Sequence, residues 1–206
     1  MMQGIARWLA ALMLFATAAA VAQSGGYTTL NPPVPTSNDG TVEVREFFSY
    51  ACPACAAFEP HLSAWVAEAP EEVRVVHVPV VFNESWRPFA QAYYAAEALG
   101  VVERIHRPLF QALHVEKRRL GSEKELVRFF AEQGVPEDEA RAALNSFRVD
   151  MLMRQGAQAM REFRIESTPT VVVAGKYVVT PRSAGGYAEA VALIDRLVRQ
   201  EIAARK

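Results

Sequence analysis

Strand signals fall in two blocks, residues 41–82 and 164–206, and the stretch between them carries helical periodicity almost throughout. In the first block, "TVEVREFF" (41–48) sets Val42, Val44 and Phe48 in one phase of an alternation. "EVRVVHVPVVF" (72–82) is β-branched and nearly unbroken, as a buried parallel strand is. A helix from Cys52 to about Glu68 separates them, and strand, helix, strand in that order predicts a βαβ unit. In the second block, Val171–Val173 and Tyr177–Val179 flank Ala174-Gly175-Lys176, a hairpin pattern. A last helix over about Gly186–Ala204 repeats apolar residues at Val191, Ile194, Val198 and Ile202.

Residues 83–163 divide into five helices. One runs from Trp86 to Leu99 and stops at Gly100, and another covers about Val102 to Val115. A third opens with Ser122-Glu123-Lys124-Glu125, a capping-box pattern, and ends at Gly134. Pro136 suits the first turn of a fourth, through Leu144, and "FRVDMLMRQGAQAMREF" suits a long fifth. The layout predicts an α/β domain built from 41–82 and 164–206, interrupted by an all-helical insertion over 83–163.

Ahead of this lies an exported-protein start. In "MMQGIARWLAALMLFATAAAVAQ", Arg7 supplies a positive charge, Trp8–Ala16 an apolar run and Ala20-Val21-Ala22 a small-residue cleavage pattern. Residues 1–22 therefore read as a signal peptide, the alternative being an uncleaved anchor; the apolar run is shorter than the ~20 residues of a usual spanning helix. "SGGYTTLNPPVPTSNDG" then reads as an extended arm or loop over 23–40. With a formal net charge of −1 on 206 residues, nothing here suits a polyanion, and nucleic acid is not an expected partner.

The only two cysteines, Cys52 and Cys55, sit in "FFSYACPACAAFEP". As a staple they would close almost no loop, and loop length is what makes a disulfide stabilising in the chain-entropy picture. As a metal site they supply two of about four ligands, and His61, His77, His106 and His114 show no matching spacing. As a redox pair they have a mechanism. Cys52 falls at the helix N-cap, Pro53 at the first position, where its missing N–H costs nothing, and Cys55 at the third. The Cys52 sulfur then faces unpaired backbone amides and the positive end of the helix dipole, which favour thiolate. Cys55, one turn on, can reach it. Export to an oxidising compartment fits the same reading.

At these residues the sequence resembles the DsbA family of the thioredoxin superfamily, exported thiol:disulfide oxidoreductases. "EFFSYACPACAAFEP" is similar to that family's active-site stretch, and "STPTVVVAGKY" to its second signature, a cis-proline loop followed by strand and hairpin. The resemblance spans nearly all of the chain after the signal. It implies a thioredoxin fold with an inserted helical domain, and donation of a disulfide to reduced, newly exported proteins. It further implies reoxidation by a DsbB-type membrane protein that passes electrons to quinone, and a periplasmic monomer with no organic cofactor or metal. Residue by residue, Cys52 matches the nucleophile, Cys55 its partner, Thr168-Pro169 the cis-proline loop, and Pro60 the proline that kinks the active-site helix. One position departs: the best-known motif is C-P-H-C, and Ala54 stands in place of the histidine. The alanine side chain offers the thiolate neither an imidazole N–H nor a charge, so a milder oxidant is expected.

Further expectations attach to neighbouring residues. Glu46 shares the phase of Val42 and Val44, points inward, and matches the family's buried acid beneath the active site. His77 takes the place of a lysine paired to that acid, and is expected either there or as a core histidine bonded to backbone. His61, His106 and His114 are expected at the surface or in packing, and Lys117-Arg118-Arg119 as a solvated run. Phe48, Tyr50 and Phe58 surround the motif, either as a rim for unfolded substrates or as core. Two other functions fit the same residues: a disulfide isomerase or reductase, and a non-catalytic binding or chaperone module with a vestigial disulfide.

Overall fold

The computed structural model describes residues 25–37 and 39–205. The expected signal peptide, 1–22, lies outside them. Five strands, β1 (Tyr27–Thr29), β2 (Val42–Phe48), β3 (Val73–Pro79), β4 (Thr170–Val173) and β5 (Tyr177–Val179), form one sheet in the order β1-β5-β4-β2-β3. The central strand β2 pairs in parallel with β3, and the helix α1 (Pro53–Glu68) between them completes the expected βαβ unit. On its other side β2 pairs antiparallel with β4, which forms a hairpin with β5. With neighbours on both edges and packing on both faces, β2 buries Val42, Val44, Phe47 and Phe48 completely.

One face of the sheet packs against α1 and the last helix α8 (Tyr187–Ala203), with Phe58, Leu62, Trp65, Ile194 and Leu197 filling the seam. The four-residue α7 (Pro181–Ala184) leads into α8, with Thr180 and Ser183 in a reciprocal cap. On the other face Phe47, Val78 and Val172 meet Ala159 and Phe163.

Between β3 and β4 run α2 (Arg87–Ala98), α3 (Val102–His114), α4 (Glu123–Glu132), α5 (Glu137–Leu144) and α6 (Phe147–Glu162). Their ends follow local chemistry. Ser122 and Glu125 make the capping box that opens α4, an arrangement whose N-cap is worth ~1 kcal/mol. Gly100 and Gly134 take positive φ just past α2 and α4, the left-handed conformation that glycine adopts without penalty. Pro136 stands one place earlier than expected, as the N-cap of α5, and Glu84–Trp86 form a 3-10 turn ahead of α2. The core of these helices runs on to Phe48, Tyr50, Cys52 and Cys55. A βαβ unit and a ββα unit separated by helices is the thioredoxin arrangement with its insertion.

Within the expected arm or loop, one short segment is regular. Tyr27–Thr29 form the edge strand β1, antiparallel to β5 with Tyr27 opposite Val179. The chain then crosses the β4–β5 turn, where Leu30 and Val34 donate to the carbonyls of Lys176 and Gly175. That crossing fixes Gly175: its φ is +67°, and a Cβ there would lie 1.9 Å from the Val34 carbonyl oxygen. Gly175→Ala is therefore expected to cost on the order of 2–4 kcal/mol, combining the left-handed penalty with the overlap. Thermal denaturation against wild type measures it.

Candidate active site

The site sits where β2 turns into α1. The Cys52 N–H donates to the Ser49 carbonyl at 3.0 Å, closing a tight turn, and the Ala51 N–H donates to Ser49 Oγ at 3.1 Å. Cys52 is the helix N-cap with extended backbone, φ −92° and ψ 115°, and Pro53 takes the first helical position. Pro60 lies inside the same helix, where it removes one backbone hydrogen bond.

The two sulfurs meet opposite environments. Both cysteines are thiols in this structure. The Cys52 pKa is pulled down to about 5, chiefly by a hydrogen bond from the Cys55 side chain; Thr168 and the amides of Cys55 and Ala54 add to this and outweigh burial. Cys52 makes no formal capping bond, so the amides act as aligned dipoles at the helix end. Burial, followed by the hydrogen bond and charge of Cys52, pushes the Cys55 thiol well above the ordinary range. One sulfur is a thiolate at neutral pH and the other stays protonated. Only the thiolate is nucleophilic.

Across from them the Thr168–Pro169 bond is cis, as the resemblance implies. Cys52 Sγ lies 3.5 Å from the Thr168 carbonyl oxygen, which accepts from it only while Cys52 carries its proton; the Thr168 side chain is the part of that residue that lowers the Cys52 pKa. Cys52, Pro53, Ala54, Cys55, Thr168 and Pro169 thus come together from two ends of the sequence. Pro53 is exposed and Ala54 partly so.

Glu46 and His77 are neighbours across the parallel β2–β3 register. His77 Nδ1 lies 2.7 Å from Glu46 Oε2, and the two side chains are 25% and 4% exposed. The Glu46 partnership is thus the expectation for His77 that holds. Among the described residues, no hydrogen bond runs from this pair to either sulfur. The pair lines a cavity of about 340 Å³ beneath α1, together with Glu59, Glu103, His106 and Arg107. Burial draws the His77 pKa down, but the hydrogen bond and charge of Glu46 outweigh it and the net shift is upward from 6.5. The pair's contribution is full below that ordinary value and fades as pH rises through the raised one. His77→Ala is expected to cost about 2 kcal/mol at pH 6, less than a fully buried pair because the ring is partly exposed. The cost should shrink at pH 9, as urea denaturation at the two pH values will read.

The aromatic residues around the motif are core. Phe48, Tyr50 and Phe58 are at most 1% exposed, so they do not form a rim. His61 follows expectation at the surface, stacked on Tyr187 with ring centroids 5.8 Å apart. The run Lys117–Arg119 lies outside the core too, with Arg118 forked onto the Glu132 carboxylate. His106 and His114 do more than pack: both hydrogen-bond Tyr50, two residues before Cys52. Their spacing with Phe110, i, i+4 and i+8 on α3, is the one sequence signal that marks a shared face.

A family model described as Thioredoxin matches residues 31–195. The thiol:disulfide interchange protein DsbA of Bordetella parapertussis is 37% identical over 193 residues, covering 93% of this chain and 92% of that one. Among solved structures, DsbA of Pseudomonas aeruginosa matches with a TM-score of 0.82 at 35% identity, over 87% of this chain and 94% of that one. The oxidoreductase DsbA of Xylella fastidiosa matches at 0.80 and 35%, over 86% and 96%. A fold that sets a C-x-x-C pair at a helix start against a cis-proline loop, shared with such relatives along nearly the whole chain, means that the chain belongs to the DsbA family of thiol:disulfide oxidoreductases.

Proposed function

We propose that Cys52 and Cys55 cycle between disulfide and dithiol to donate disulfides to reduced proteins. The observation that carries the reading is the placement of the two sulfurs: Cys52 at the N-cap of α1 against the Thr168–Pro169 loop, and Cys55 fully buried one turn on. In the oxidised pair, a substrate thiolate attacks Cys52 Sγ. The Cys52–Cys55 bond breaks, the electron pair leaves on Cys55, and Cys55 takes up a proton. A second substrate thiolate then attacks the substrate sulfur of the mixed disulfide. The substrate is oxidised by two electrons, and Cys52 departs as the stabilised thiolate. No organic cofactor or metal enters these steps.

Thr168 and Pro169 lie against the sulfur and present backbone to the substrate chain. Pro53 pre-sets the helix start, and Ala54 sets how far the thiolate is stabilised. Glu46, paired with His77, relays protons as the thiols ionise, and it is among the groups whose charge raises Cys55. Residues 41–82 and 164–206 form the thioredoxin-like domain and 83–163 the helical domain. The setting is the periplasm, reached through the signal at 1–22. No helix among the described residues is long and apolar enough to cross a membrane. The substrates are newly exported proteins, the reoxidant is a DsbB-type membrane protein linked to quinone, and the protein acts as a monomer. A stoichiometric mixture of the oxidised protein with a reduced dithiol peptide tests the direction. Transfer of the disulfide to the peptide is expected. Reactivation of a scrambled substrate without net oxidation would identify an isomerase instead.

A further inference from the structure

Among the described residues, just two hydrogen bonds pass from the helical segment 83–163 to residues 41–82, and both end on Tyr50. The one ion pair across that seam, Arg107–Glu59, is long at 3.8 Å and its arginine is 71% exposed. Tyr50 is buried, and its phenol stays protonated because burial and nearby Tyr93 raise its pKa. Burial and the neighbouring His77 lower the His106 pKa to about 3, so this ring is neutral. Tyr50 therefore donates its O–H to His106 Nδ1, at 2.9 Å. At the other end of the same residue the acceptor is a carbonyl, so His114 Nε2 must carry the proton it donates there, at 2.6 Å. Phe110, between the two histidines on α3, packs its ring 4.8 Å from that of Tyr50.

Tyr50 is a corner residue of the turn that the Cys52 N–H closes on Ser49. Whatever fixes its carbonyl fixes the angle at which the next residues enter α1. We infer that His106 and His114 are positioning residues for disulfide exchange: α3 grips Tyr50 by hydroxyl and carbonyl, holding Cys52 against the Ala54 and Cys55 amides and Thr168. The inference rests on Cys52 being the exchanging sulfur. It makes α3 the part of the helical segment that communicates with the sulfur, because both hydrogen bonds across the seam are made by it, and so is the long Arg107–Glu59 ion pair.

The test is the ultraviolet thiolate titration of Cys52, with the glutathione equilibrium, in reduced His114→Ala and His114→Gln. His114→Ala is expected to raise the Cys52 pKa by about one and move the equilibrium about tenfold toward the disulfide. Glutamine keeps an N–H donor at similar reach, and His114→Gln should stay within about twofold of wild type. A folded His114→Ala that titrates like wild type overturns the inference, and so does an equal shift in both variants. Nitrogen NMR of the wild-type imidazoles tests it without any substitution: a His114 ring with no proton on Nε2 overturns it, and a protonated Nε2 supports it. A role in stability alone would lower the melting temperature and leave the potential unmoved. Failure of the underlying reading shows separately, as exchange activity surviving in Cys52→Ser.

Discussion

Cys52→Ser is expected to reduce disulfide transfer to the uncatalysed background, whereas the Cys52 thiolate of Cys55→Ser should still attack a disulfide, form a mixed disulfide and then stall. The difference follows from the two environments. A serine hydroxyl at position 52 cannot form the sulfur–sulfur bond that the cycle requires, so the loss is total. With Cys55 replaced, the thiolate at Cys52 remains and still exchanges with a disulfide. What is lost is the neighbouring thiol that resolves the adduct, while the serine hydroxyl can still donate to the Cys52 thiolate. Mass spectrometry after incubation with an oxidised peptide should find a stable adduct on Cys55→Ser and none on Cys52→Ser. The Cys52 pKa should rise from about 5 toward the ordinary thiol range in Cys55→Ala, which removes the side-chain donor that does most to lower it.

The second large effect concerns the strength of oxidation. A thiol at about 5 is stabilised as thiolate at pH 7 by two pH units, or about 3 kcal/mol at 1.36 kcal/mol each. The folded pKa is below the unfolded value, so this stabilises the reduced fold above pH 5 and is lost as pH falls through the folded value. The reduced form should gain stability over the oxidised form between pH 4 and pH 7, as paired urea denaturations will show. At about 30 mV per 1.4 kcal/mol, the contribution at pH 7 is on the order of 60 mV. The reference pKa for DsbA itself is about 3.5, which corresponds to about 5 kcal/mol and on the order of 100 mV. Ala54 stands in the position between the cysteines, where an imidazole would add an N–H and positive charge. Ala54→His is therefore expected to lower the Cys52 pKa and raise the reduction potential by on the order of 40 mV. An Ala54→His protein with an unchanged potential would remove that position from the account.

What the sequence made legible was local chemistry. The N-cap place of Cys52, the capping box at Ser122 and the glycines at 100 and 134 each follow from a few adjacent residues. The expectations that changed, or that the sequence leaves open, all depend on distant partners. β1 is three residues long in a Pro- and Gly-rich stretch, and exists because Tyr27 meets Val179 across the fold. For Phe48 and Tyr50 the motif leaves rim and core both open, and core holds because the helical core closes over them. His106 and His114 share a helix face that periodicity can mark, yet their partner Tyr50 lies 56 and 64 residues away. His77 was the exception, because parallel register sets it beside Glu46 once β2 and β3 are recognised.

The central claim is that the Cys52–Cys55 pair is poised to give a disulfide away. A glutathione redox titration of the native protein tests it most directly, with the dithiol and disulfide separated by mass after trapping. The account predicts a potential between about −120 and −180 mV, in the range of disulfide donors. A value near −270 mV, where thioredoxin-type reductases lie, would contradict it.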